Sequence, residues 1–488
     1  LMTIKNYLIP FLFGFIGILS FAPFSIKPLI FLSYAYLIKE LVYKNKSKFK
    51  KLIAWSFGHW GFGMSWIIVS VYYYGNTNLI VSLIVFILLL AILTLVFSLP
   101  LYVLKIRLFN EFRYEKSIEI FYVSSLLIIS EWSMYFLLNG VPWIIPGTIF
   151  LDTITQNIYP ILGVAGASFF VYFFSTLLAS AWVKNKKIAY LILIPIVILL
   201  LPNNPEEKDQ LKSINISIVQ PSSDPFLKYT SGYKSSIETN LIELSADIAD
   251  NSLLVVYPEA ELPYALESND FINFIDKLDL SKTIITGVWH FEDKKLYNSM
   301  INIDSGQIYN KIHLVPFGEY IPFISSLRGL ISFFDMPMSN VNHGKQKQKS
   351  INTKIGTFSP LICYDIAFPN TVRLSNISSQ FIINISNDTW FGSSIGPYHH
   401  LDIARVRAIE NNKWLIRSTN DGFSAVIDNN GTVVDKLEKG VSGVINSSIK
   451  LIEKRTFYNI YGHFIPYLSA LLIIFISVII NICLKRRT

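Results

Sequence analysis

Charged residues are scarce in this sequence. Only 16% of its 488 residues are charged, whereas 52% are hydrophobic, and in an ordinary soluble domain about a quarter of the residues are charged. A disordered chain combines low hydrophobicity with high net charge, so the composition excludes one. It also argues against a wholly soluble protein and indicates that a large part of the chain lies in a membrane.

Cysteine is rare as well, since the chain contains only Cys363 and Cys483. Two cysteines exclude a disulfide framework and a zinc site built from four thiolates. The adjacent His399 and His400 have no carboxylate or third histidine at ligand spacing, so we expect a structural or substrate-contact role for them. The sequence therefore predicts neither a metal nor a cofactor.

The net charge is +8, because the chain has 42 Lys and Arg against 34 Asp and Glu. Such an excess is a feature of nucleic-acid-binding proteins. Aromatic residues, however, make up 15% of this chain and lie within long apolar runs, which is typical of membrane helices. We therefore expect a membrane as the partner and no nucleic acid.

Apolar runs divide the chain into three parts. We predict a transmembrane domain of seven helices at 1–201, an external α/β domain at 202–455, and a last helix with a basic tail at 456–488. A spanning helix needs about 20 apolar residues. The eight predicted spans lie at 6–25, 27–43, 52–73, 79–104, 117–138, 160–183, 188–201 and 466–484.

Basic residues between these runs predict the orientation. Clusters of Lys and Arg follow every second run, whereas the loops at 75–78 and 140–160 contain none. Because cytoplasmic loops carry the excess of Lys and Arg, both termini are expected in the cytoplasm and the domain at 202–455 outside the cytoplasmic (inner) membrane. Cys363 and Cys483 then lie on opposite sides and cannot pair, which leaves Cys363 as a lone thiol in an oxidising compartment.

The expected external domain alternates β-rich runs with turn signals and helical stretches. The strand-like runs include Leu253–Tyr257, Thr283–Val288, Phe381–Ile385 and Ser424–Ile427, the last followed by a hairpin turn sequence at 428–431. This alternation predicts an α/β layered domain.

Ionisable side chains follow three of the apolar runs in this domain. Glu259 follows the first, Lys311 precedes a second acid at Glu319, and Cys363 precedes Asp365. An ammonium group lowers the pKa of a nearby thiol, a carboxylate can accept and return its proton, and a lysine can stabilise an oxyanion. Spacing alone leaves open whether Cys363 is a nucleophile or a small buried hydrophobic residue.

Four motifs occur in one order along this domain. They are Tyr-Pro-Glu at 257–259, Asn-Lys-Ile-His-Leu-Val-Pro-Phe-Gly-Glu-Tyr-Ile-Pro at 310–322, Cys-Tyr-Asp at 363–365 and Asn-Asp-Thr-Trp-Phe-Gly at 387–392. Together they resemble the apolipoprotein N-acyltransferases, the membrane-bound branch of the nitrilase or carbon-nitrogen hydrolase superfamily. The long lysine motif is very specific, and the eight-span topology extends the resemblance to nearly the whole chain.

The resemblance implies a nitrilase-like αββα sandwich with a Glu-Lys-Cys triad. Glu259 is implied as general base and acid, Lys311 as the oxyanion stabiliser, and Cys363 as the nucleophile. The implied supporting residues are Glu319, Tyr364 and Asp365, and the candidate substrate contacts are Tyr229, Trp390, Phe391 and Glu131. The family reaction moves an acyl chain from a phospholipid, through a thioester, to the N-terminal amine of a diacylated apolipoprotein.

Some positions depart from the family pattern. Tyr257 replaces a usual Trp, Met134 a usual Arg, and the pair Lys228-Tyr229 a Lys-Trp pair. Asp365 replaces a Glu, and one methylene less is expected to retract its carboxylate from a partner.

The roles of two further residues and one segment are also considered. Glu131 and the segment 321–337 have two interpretations each, and Glu261 has one. Glu131 in a predicted span is either functional or paired within the bundle, with His59 as the candidate partner. Glu261 is expected to be a solvated neighbour of Glu259. The segment 321–337 is either an amphipathic lid that touches lipid or a part packed on the sandwich.

Two other functions remain as alternatives at this stage. A membrane-tethered amidase or nitrilase-type hydrolase would use the same triad, and only the acyl acceptor distinguishes it from a transferase. An inactive binding scaffold is expected to have lost a triad member, and the sequence retains all three.

Overall fold

The computed structural model of the chain describes residues 2–43, 48–74, 78–109, 116–136, 140–184, 193–203, 212–224, 227–228, 232–315, 319 and 341–485. Two compact units are present. The first unit consists of 1–68, 80–204 and 461–488, and the second of 69–79 and 205–460. The first unit is helical, and the second contains both β-sheets.

Helices account for most of the described chain outside the sheets. In chain order they are α1 (Met2–Ile18), α2 (Leu29–Ile38), α3 (Lys48–Gly63), α4 (Trp66–Val69), α5 (Leu79–Phe109), α6 (Lys116–Ser133), α7 (Tyr159–Lys184), α8 (Leu193–Leu200), α9 (Tyr233–Ser245), α10 (Asn269–Ile275), α11 (Pro369–Ser375), α12 (Gly396–Asn411), α13 (Phe457–Tyr461) and α14 (Ile465–Lys485). Each of the eight predicted spans overlaps at least one of α1 to α8 or α14, and the span 52–73 overlaps both α3 and α4.

The helical unit contains helices of the length and composition that a membrane requires. In the described residues, Leu79–Leu99 and Ile154–Val183 are long and apolar enough to cross a bilayer. A bent pair of helices, Phe49–Gly63 and Trp66–Tyr72, makes a third if it counts as one span. The predicted number of eight spans is therefore not confirmed by the described helices, because several of them are shorter than a bilayer needs.

Glycines allow α1 and α3 to pack closely. A Cβ atom at Gly14 would lie 2.0 Å from the carbonyl oxygen of Trp55, and one at Gly58 would lie 2.0 Å from that of Phe11. Larger residues would force the two helices apart, and small residues at such interfaces are typical of membrane helix pairs. Trp55 also donates its indole N–H to the carbonyl oxygen of Ser33 at 3.2 Å, which links α3 to α2.

The second unit contains two six-stranded sheets. The strands are β1 (Ser213–Gln220), β2 (Leu254–Val256), β3 (Thr283–Glu292), β4 (Lys295–Asn302), β5 (Ile308–Asn310), β6 (Ile351–Asn352), β7 (Thr357–Ile362), β8 (Phe381–Ser386), β9 (Trp414–Thr419), β10 (Ser424–Ile427), β11 (Val433–Leu437) and β12 (Gly443–Lys450). Their order is β12-β1-β2-β3-β4-β5 in one sheet and β11-β10-β9-β8-β7-β6 in the other. Three central strands of each sheet are parallel, β1 to β3 and β7 to β9, and the outer pairings are antiparallel.

Alternating side chains place the main core between the two sheets. In β8, Phe381, Ile383 and Ile385 belong to a cluster that also contains residues of β1, β2 and β7, because successive residues of a strand point to opposite faces. The outer face of the first sheet packs against α9 and α10. Helices α11 and α12 contact β7 and β9 of the second sheet. The predicted αββα sandwich is confirmed.

The sequence also located several strands correctly. β2 lies inside the predicted run Leu253–Tyr257, and β10 has the predicted bounds Ser424–Ile427. The predicted turn joins β10 to β11, where the N–H of Gly431 donates to the carbonyl oxygen of Asp428 at 3.0 Å. Strand ends in the parallel parts of the sheets lead directly into the segments that contain Glu259 and Cys363.

Candidate active site

Cys363 occupies the first position after β7, where the chain turns into a short 3₁₀ helix, Cys363–Ala367. Its φ angle is 48°, which lies in the left-handed region that residues other than glycine rarely adopt. The side chain is buried, with 9% of the residue exposed. Burial raises the pKa of the thiol above its ordinary value, the Glu259 carboxylate raises it further, and Lys311 opposes both effects.

Lys311 follows β5 and lies between two carboxylates. Its Nζ atom is 3.0 Å from Oε1 of Glu259 and 2.8 Å from Oε1 of Glu319. All three side chains are buried. Burial opposes the charged ammonium group, but the two carboxylates outweigh burial and raise the pKa of Lys311 well above its ordinary value.

Asn298 of β4 joins the same cluster. Its Nδ2 atom donates to Oε1 of Glu259 at 2.7 Å and to Oε1 of Glu319 at 3.2 Å. The main-chain carbonyl oxygen of Asn298 accepts the main-chain N–H of Lys311 at 2.9 Å. Asn298 was not predicted from the sequence, because no motif surrounds it and only the pairing of β3, β4 and β5 brings it to the lysine.

Glu319 is fixed by its own loop. Its Oε2 atom accepts the main-chain N–H of Val315 at 2.9 Å, and its main-chain N–H donates to the carbonyl oxygen of Val315 at 3.0 Å. One carboxylate oxygen is therefore occupied by the backbone while the other faces Lys311. Within the described contacts, Glu319 therefore has a main-chain donor in addition to the two side-chain donors that it shares with Glu259.

Asp365 links the cysteine turn to the lysine segment. Its Oδ1 atom accepts the N–H of His313 at 2.7 Å, and its Oδ2 atom accepts the hydroxyl of Tyr309 at 3.0 Å and the N–H of Ile362 at 3.2 Å. A fourth donor, the N–H of Ile312, lies 3.5 Å from Oδ2, so the shorter side chain has four donors here, and its expected retraction from a partner stays a prediction. Burial raises the pKa of Asp365 to about 7, although the His313 N–H and Lys311 act to lower it.

Two of the other proposed site residues lie in the short 3₁₀ helix Asp388–Phe391 that follows β8. Phe391 is buried and contacts the His400 ring edge-on, with ring centroids 5.7 Å apart. Trp390 is half-buried, and its carbonyl oxygen accepts the hydroxyl of Ser70 at 2.6 Å. Tyr364 is buried against Phe368, with ring centroids 5.3 Å apart.

Glu131 belongs to the helical unit, where it lies near the end of α6. Its Oε2 atom accepts the hydroxyl of Tyr172 at 2.7 Å. Within the described contacts, Tyr172 and not His59 is its hydrogen-bond partner, so the pairing expected with His59 is wrong. Tyr34 of α2 contacts the rings of both His59 and Tyr172.

Two expectations lie outside the described residues. One is the substrate contact at Tyr229, and the other is the segment 321–337. Both remain predictions.

Glu261 was predicted to be a solvated neighbour of Glu259, and this prediction is wrong. The residue is 3% exposed. Ala260 has a φ angle of 39°, and this turn after β2 directs the following carboxylate into the protein. Lys228 is buried with it, donates to the carbonyl oxygen of Ala260, and attracts Glu261 electrostatically. Burial raises the pKa of Glu261, and Lys228 opposes that effect.

His400 is buried and bonded to Asp388, with 2.9 Å between its Nδ1 atom and Oδ1 of the carboxylate. Within the described part of the chain, no three His, Cys, Asp or Glu side chains form a group that could hold a metal ion. The described site is therefore made of a thiol, an ammonium group, carboxylates and an amide.

These groups are suited to covalent acyl transfer. A buried thiol that is neutral at rest needs a base during attack, and a carboxylate next to it can provide one. A buried ammonium group can stabilise the negative charge that develops on a carbonyl oxygen. Lys311 contacts both Glu259 and Glu319, so its ammonium group has carboxylate partners before substrate enters.

Two families match the chain. The carbon-nitrogen hydrolase family matches residues 239–455, and the family described as the apolipoprotein N-acyltransferase N-terminal domain matches residues 13–177. The first match contains the buried cluster around Lys311, and the second lies within the part of the sequence that forms α1 to α7.

Similarity to curated relatives extends over most of the chain. The chain is similar to the apolipoprotein N-acyltransferase of Haemophilus influenzae, with 32% identity over 498 residues that cover 96% of this chain and 93% of the relative. It is 31% identical to that of Vibrio parahaemolyticus over 469 residues, which cover 91% of both chains. A solved carbon-nitrogen hydrolase superfamily protein from Xanthomonas campestris is 21% identical, covers 49% of this chain and 91% of that chain, and has a TM-score of 0.37.

Proposed function

The chain belongs to the apolipoprotein N-acyltransferase family, and we propose that it moves an acyl chain from a phospholipid, through a Cys363 thioester, to the N-terminal amine of a diacylated apolipoprotein. The product is a mature, N-acylated lipoprotein. The enzyme is an acyltransferase that alternates between a free thiol and an acyl-enzyme. The arrangement that supports this proposal best is the buried Lys311 ammonium group between Glu259 and Glu319, beside a thiol that is neutral at rest.

In the first half-reaction, Glu259 accepts the proton of the Cys363 thiol as the sulfur attacks the ester carbonyl carbon of the phospholipid. A carbon–sulfur bond forms, and Lys311 stabilises the tetrahedral oxyanion. When the intermediate collapses, the ester carbon–oxygen bond breaks. Glu259 returns the proton to the departing lysophospholipid oxygen, and a thioester remains on Cys363.

In the second half-reaction, the acceptor's α-amine attacks the thioester. An α-amine has an ordinary pKa of about 7.7–8.0, so part of it is already neutral near pH 7. Glu259 accepts the proton that the nitrogen loses as the carbon–nitrogen bond forms. The carbon–sulfur bond then breaks, the proton passes from Glu259 to the Cys363 sulfur, and the N-acylated product leaves.

The membrane explains why such an enzyme carries a large helical unit. Each CH₂ group moved from lipid into water costs about 0.8 kcal/mol, so extraction of a whole acyl chain is unfavourable. A catalytic domain at the membrane surface meets the ester while the acyl chains stay in lipid. An amidase acting on small soluble substrates has no such need.

The proposed topology has eight spans, with both termini in the cytoplasm and the catalytic domain on the periplasmic or external side of the cytoplasmic membrane. Its division is a transmembrane domain at 1–201, a catalytic domain at 202–455 and a last span with a basic tail at 456–488. The distribution of Lys and Arg among the loops supports this orientation.

Further residues complete the proposal. Glu319 and Asp365 hold the lysine segment in place, and Tyr364 packs beside the nucleophile. The residues proposed to contact substrate are Tyr229, Trp390, Phe391 and Glu131. Glu131 is a charged residue within a helical bundle, and such residues are functional candidates by default.

The function is tested with the full-length protein in detergent micelles, a phospholipid that carries a labelled acyl chain, and a synthetic diacylated lipopeptide. We expect the lipopeptide to gain the mass of one acyl group at its amine. The alternative hydrolase would instead release labelled free fatty acid and leave the lipopeptide unchanged. A lipopeptide whose N-terminal amine is acetylated serves as the matched control and is expected to gain no acyl group.

A further inference from the structure

A cluster of buried charged side chains lies next to Cys363 and takes no part in the reaction proposed above. Asp388 follows β8, His400 lies in the first half of α12, and Arg417 lies in β9. None of the three is more than 1% exposed. Charged groups are rarely buried without partners, because removing them from water costs several kcal/mol.

The partners are within the cluster. Nη2 of Arg417 donates to Oδ2 of Asp388 at 2.7 Å, and Oδ1 of Asp388 lies 2.9 Å from Nδ1 of His400. The hydroxyl of Ser386 donates to Oδ1 of Asp388 at 2.7 Å. Burial opposes ionisation of Asp388, but Arg417 and His400 outweigh it and hold the pKa of that carboxyl below its ordinary value.

One member of the cluster reaches the main chain of the nucleophile. Nε2 of His400 lies 3.3 Å from the carbonyl oxygen of Cys363. That residue has a φ angle of 48°, a conformation that costs free energy and persists only where surrounding contacts impose it. The bond from His400 is such a contact, because it fixes the peptide group immediately after the sulfur-bearing residue.

The contact of Nε2 decides which ring nitrogen we assign the proton to. The Cys363 carbonyl oxygen can only accept, so its contact with Nε2 is a hydrogen bond when Nε2 carries a proton. With the proton there and the ring neutral, Nη2 of Arg417, 3.0 Å away, donates to Nδ1. When the ring is charged, Nδ1 also carries a proton and donates to Asp388.

We propose that His400, oriented by Asp388 and Arg417, is a positioning residue that holds the backbone of Cys363 in its left-handed conformation and so aims the sulfur at the acyl carbonyl. The proposal rests on the proposed function, since it assigns His400 a part in thioester formation. His400 does not exchange a proton with substrate. Its effect is on the rate of acylation and not on phospholipid binding.

A purely structural role for the cluster, as an ion pair that ties α12 to the sheet, predicts a different pattern. Under that role, every variant is less stable, and the local geometry of Cys363 is unchanged once the protein is folded. Asn411 provides a control for this role, because it is buried in the same helix and bonds Arg407 and Asn459 without contacting Cys363.

The test compares His400→Leu, His400→Gln and Asn411→Ala in the full-length protein in micelles. The glutamine amide can still donate to the Cys363 carbonyl oxygen, whereas leucine cannot. Single-turnover thioester formation with a labelled phospholipid gives the acylation rate at several lipid concentrations. Hydrogen exchange of the peptide that spans 361–368, followed by mass spectrometry, reports on the backbone of Cys363 independently of acyl transfer.

We expect His400→Leu to slow the maximal acylation rate about 30-fold with KM changed less than about 3-fold, and His400→Gln to recover most of that rate. We also expect faster exchange at 361–368 in His400→Leu, and neither change in Asn411→Ala at an equal loss of thermal stability. Equal acylation rates in His400→Leu and the wild type would overturn the proposal, as would equal losses in the leucine and glutamine variants. If the wild type forms no thioester, the proposed function fails, and unchanged exchange at 361–368 in His400→Leu separately refutes the positioning role.

Discussion

The carboxylate of Asp365 accepts the main-chain N–H of His313 at 2.7 Å. This bond joins the turn that presents Cys363 to the segment that presents Lys311. The two segments are about fifty residues apart in the sequence and come from different sheets. The distance between the proposed nucleophile, Cys363, and the proposed oxyanion stabiliser, Lys311, therefore depends on a side chain to which neither role is assigned.

Asp365→Ala is expected to damage both stability and acylation. It leaves four donors without their acceptor, and each such group costs about 1–3 kcal/mol. We expect a loss of about 4 kcal/mol in the free energy of unfolding and a marked fall in single-turnover thioester formation. Asp304→Ala is the control, because Asp304 bonds Thr283 and Lys354 away from this cluster. Wild-type acylation in folded Asp365→Ala would contradict the linking role.

The pH dependence of stability provides a second prediction. The pKa of Asp365 is raised to about 7 in the folded protein, above the ordinary value of about 3.9. The folded state then binds the proton more tightly, so this group's contribution to stability is complete below about pH 4 and is lost as pH rises towards 7. Asp365→Asn removes the titration.

The difference in thermal midpoint, Asp365→Asn minus wild type, is therefore expected to increase between about pH 4 and pH 7 and to level off above pH 8. Differential scanning calorimetry of both proteins in the same detergent measures it. A difference that is constant over this range would show that Asp365 does not titrate there.

Asn298 is expected to be necessary for fast acylation, because its neutral side chain holds the carboxylates of Glu259 and Glu319 in place. Its amide donates to both, at 2.7 Å and 3.2 Å. We expect Asn298→Ala to slow thioester formation by about 10- to 100-fold. Asn298→Asp is expected to be worse, since it adds a third carboxylate next to two others.

The matched control for that prediction is Asn302→Ala. Asn302 is buried in the same strand, and its amide donates to the Asn352 carbonyl oxygen at 3.0 Å, away from Glu259. It is expected to lose stability and keep the acylation rate. Equal acylation losses in both alanine variants would assign the effect to stability alone.

Lys228 and Glu261 are both buried and attract each other electrostatically, and removal of one partner is expected to cost more than removal of both. Lys228→Met leaves the Glu261 carboxylate buried without its cation, at a cost of about 3–5 kcal/mol in the free energy of unfolding. Lys228→Met combined with Glu261→Gln is expected to recover much of that loss. A double-mutant cycle on thermal unfolding measures the coupling. Additive losses would mean that the two charges do not interact.

Much of the catalytic domain could be predicted from the sequence, because apolar periodicity and turn chemistry are local. The run Ser424–Ile427 became β10 with its bounds unchanged, and the alternation of strands and helices predicted an α/β layered domain. The αββα order of the layers was implied by the family resemblance and is confirmed by the packing. Glu259, Lys311 and Cys363 stood out as ionisable residues that follow apolar runs. Their proximity needed the motifs, since spacing alone does not distinguish a nucleophile from a buried thiol.

The residues that the sequence missed depend on contacts between distant strands. Asn298 reaches Lys311 only through the register of β4 and β5, and Arg417 reaches His400 only because β9 lies beneath α12. Glu261 was expected at the surface because charged residues usually lie there. The backbone turn at Ala260 and the cation of Lys228 reverse that preference, and neither is visible in the local pattern.

The central claim is that Cys363 carries the acyl group between donor and acceptor. The most direct measurement is intact-mass and peptide mass spectrometry of the full-length protein after brief exposure to a phospholipid with a labelled acyl chain. We predict one acyl group on the peptide that contains Cys363, its release by hydroxylamine, its transfer to a diacylated lipopeptide added afterwards, and no label on Cys363→Ala. Label on Cys363→Ala, or an acylated lipopeptide produced by that variant, would contradict the account.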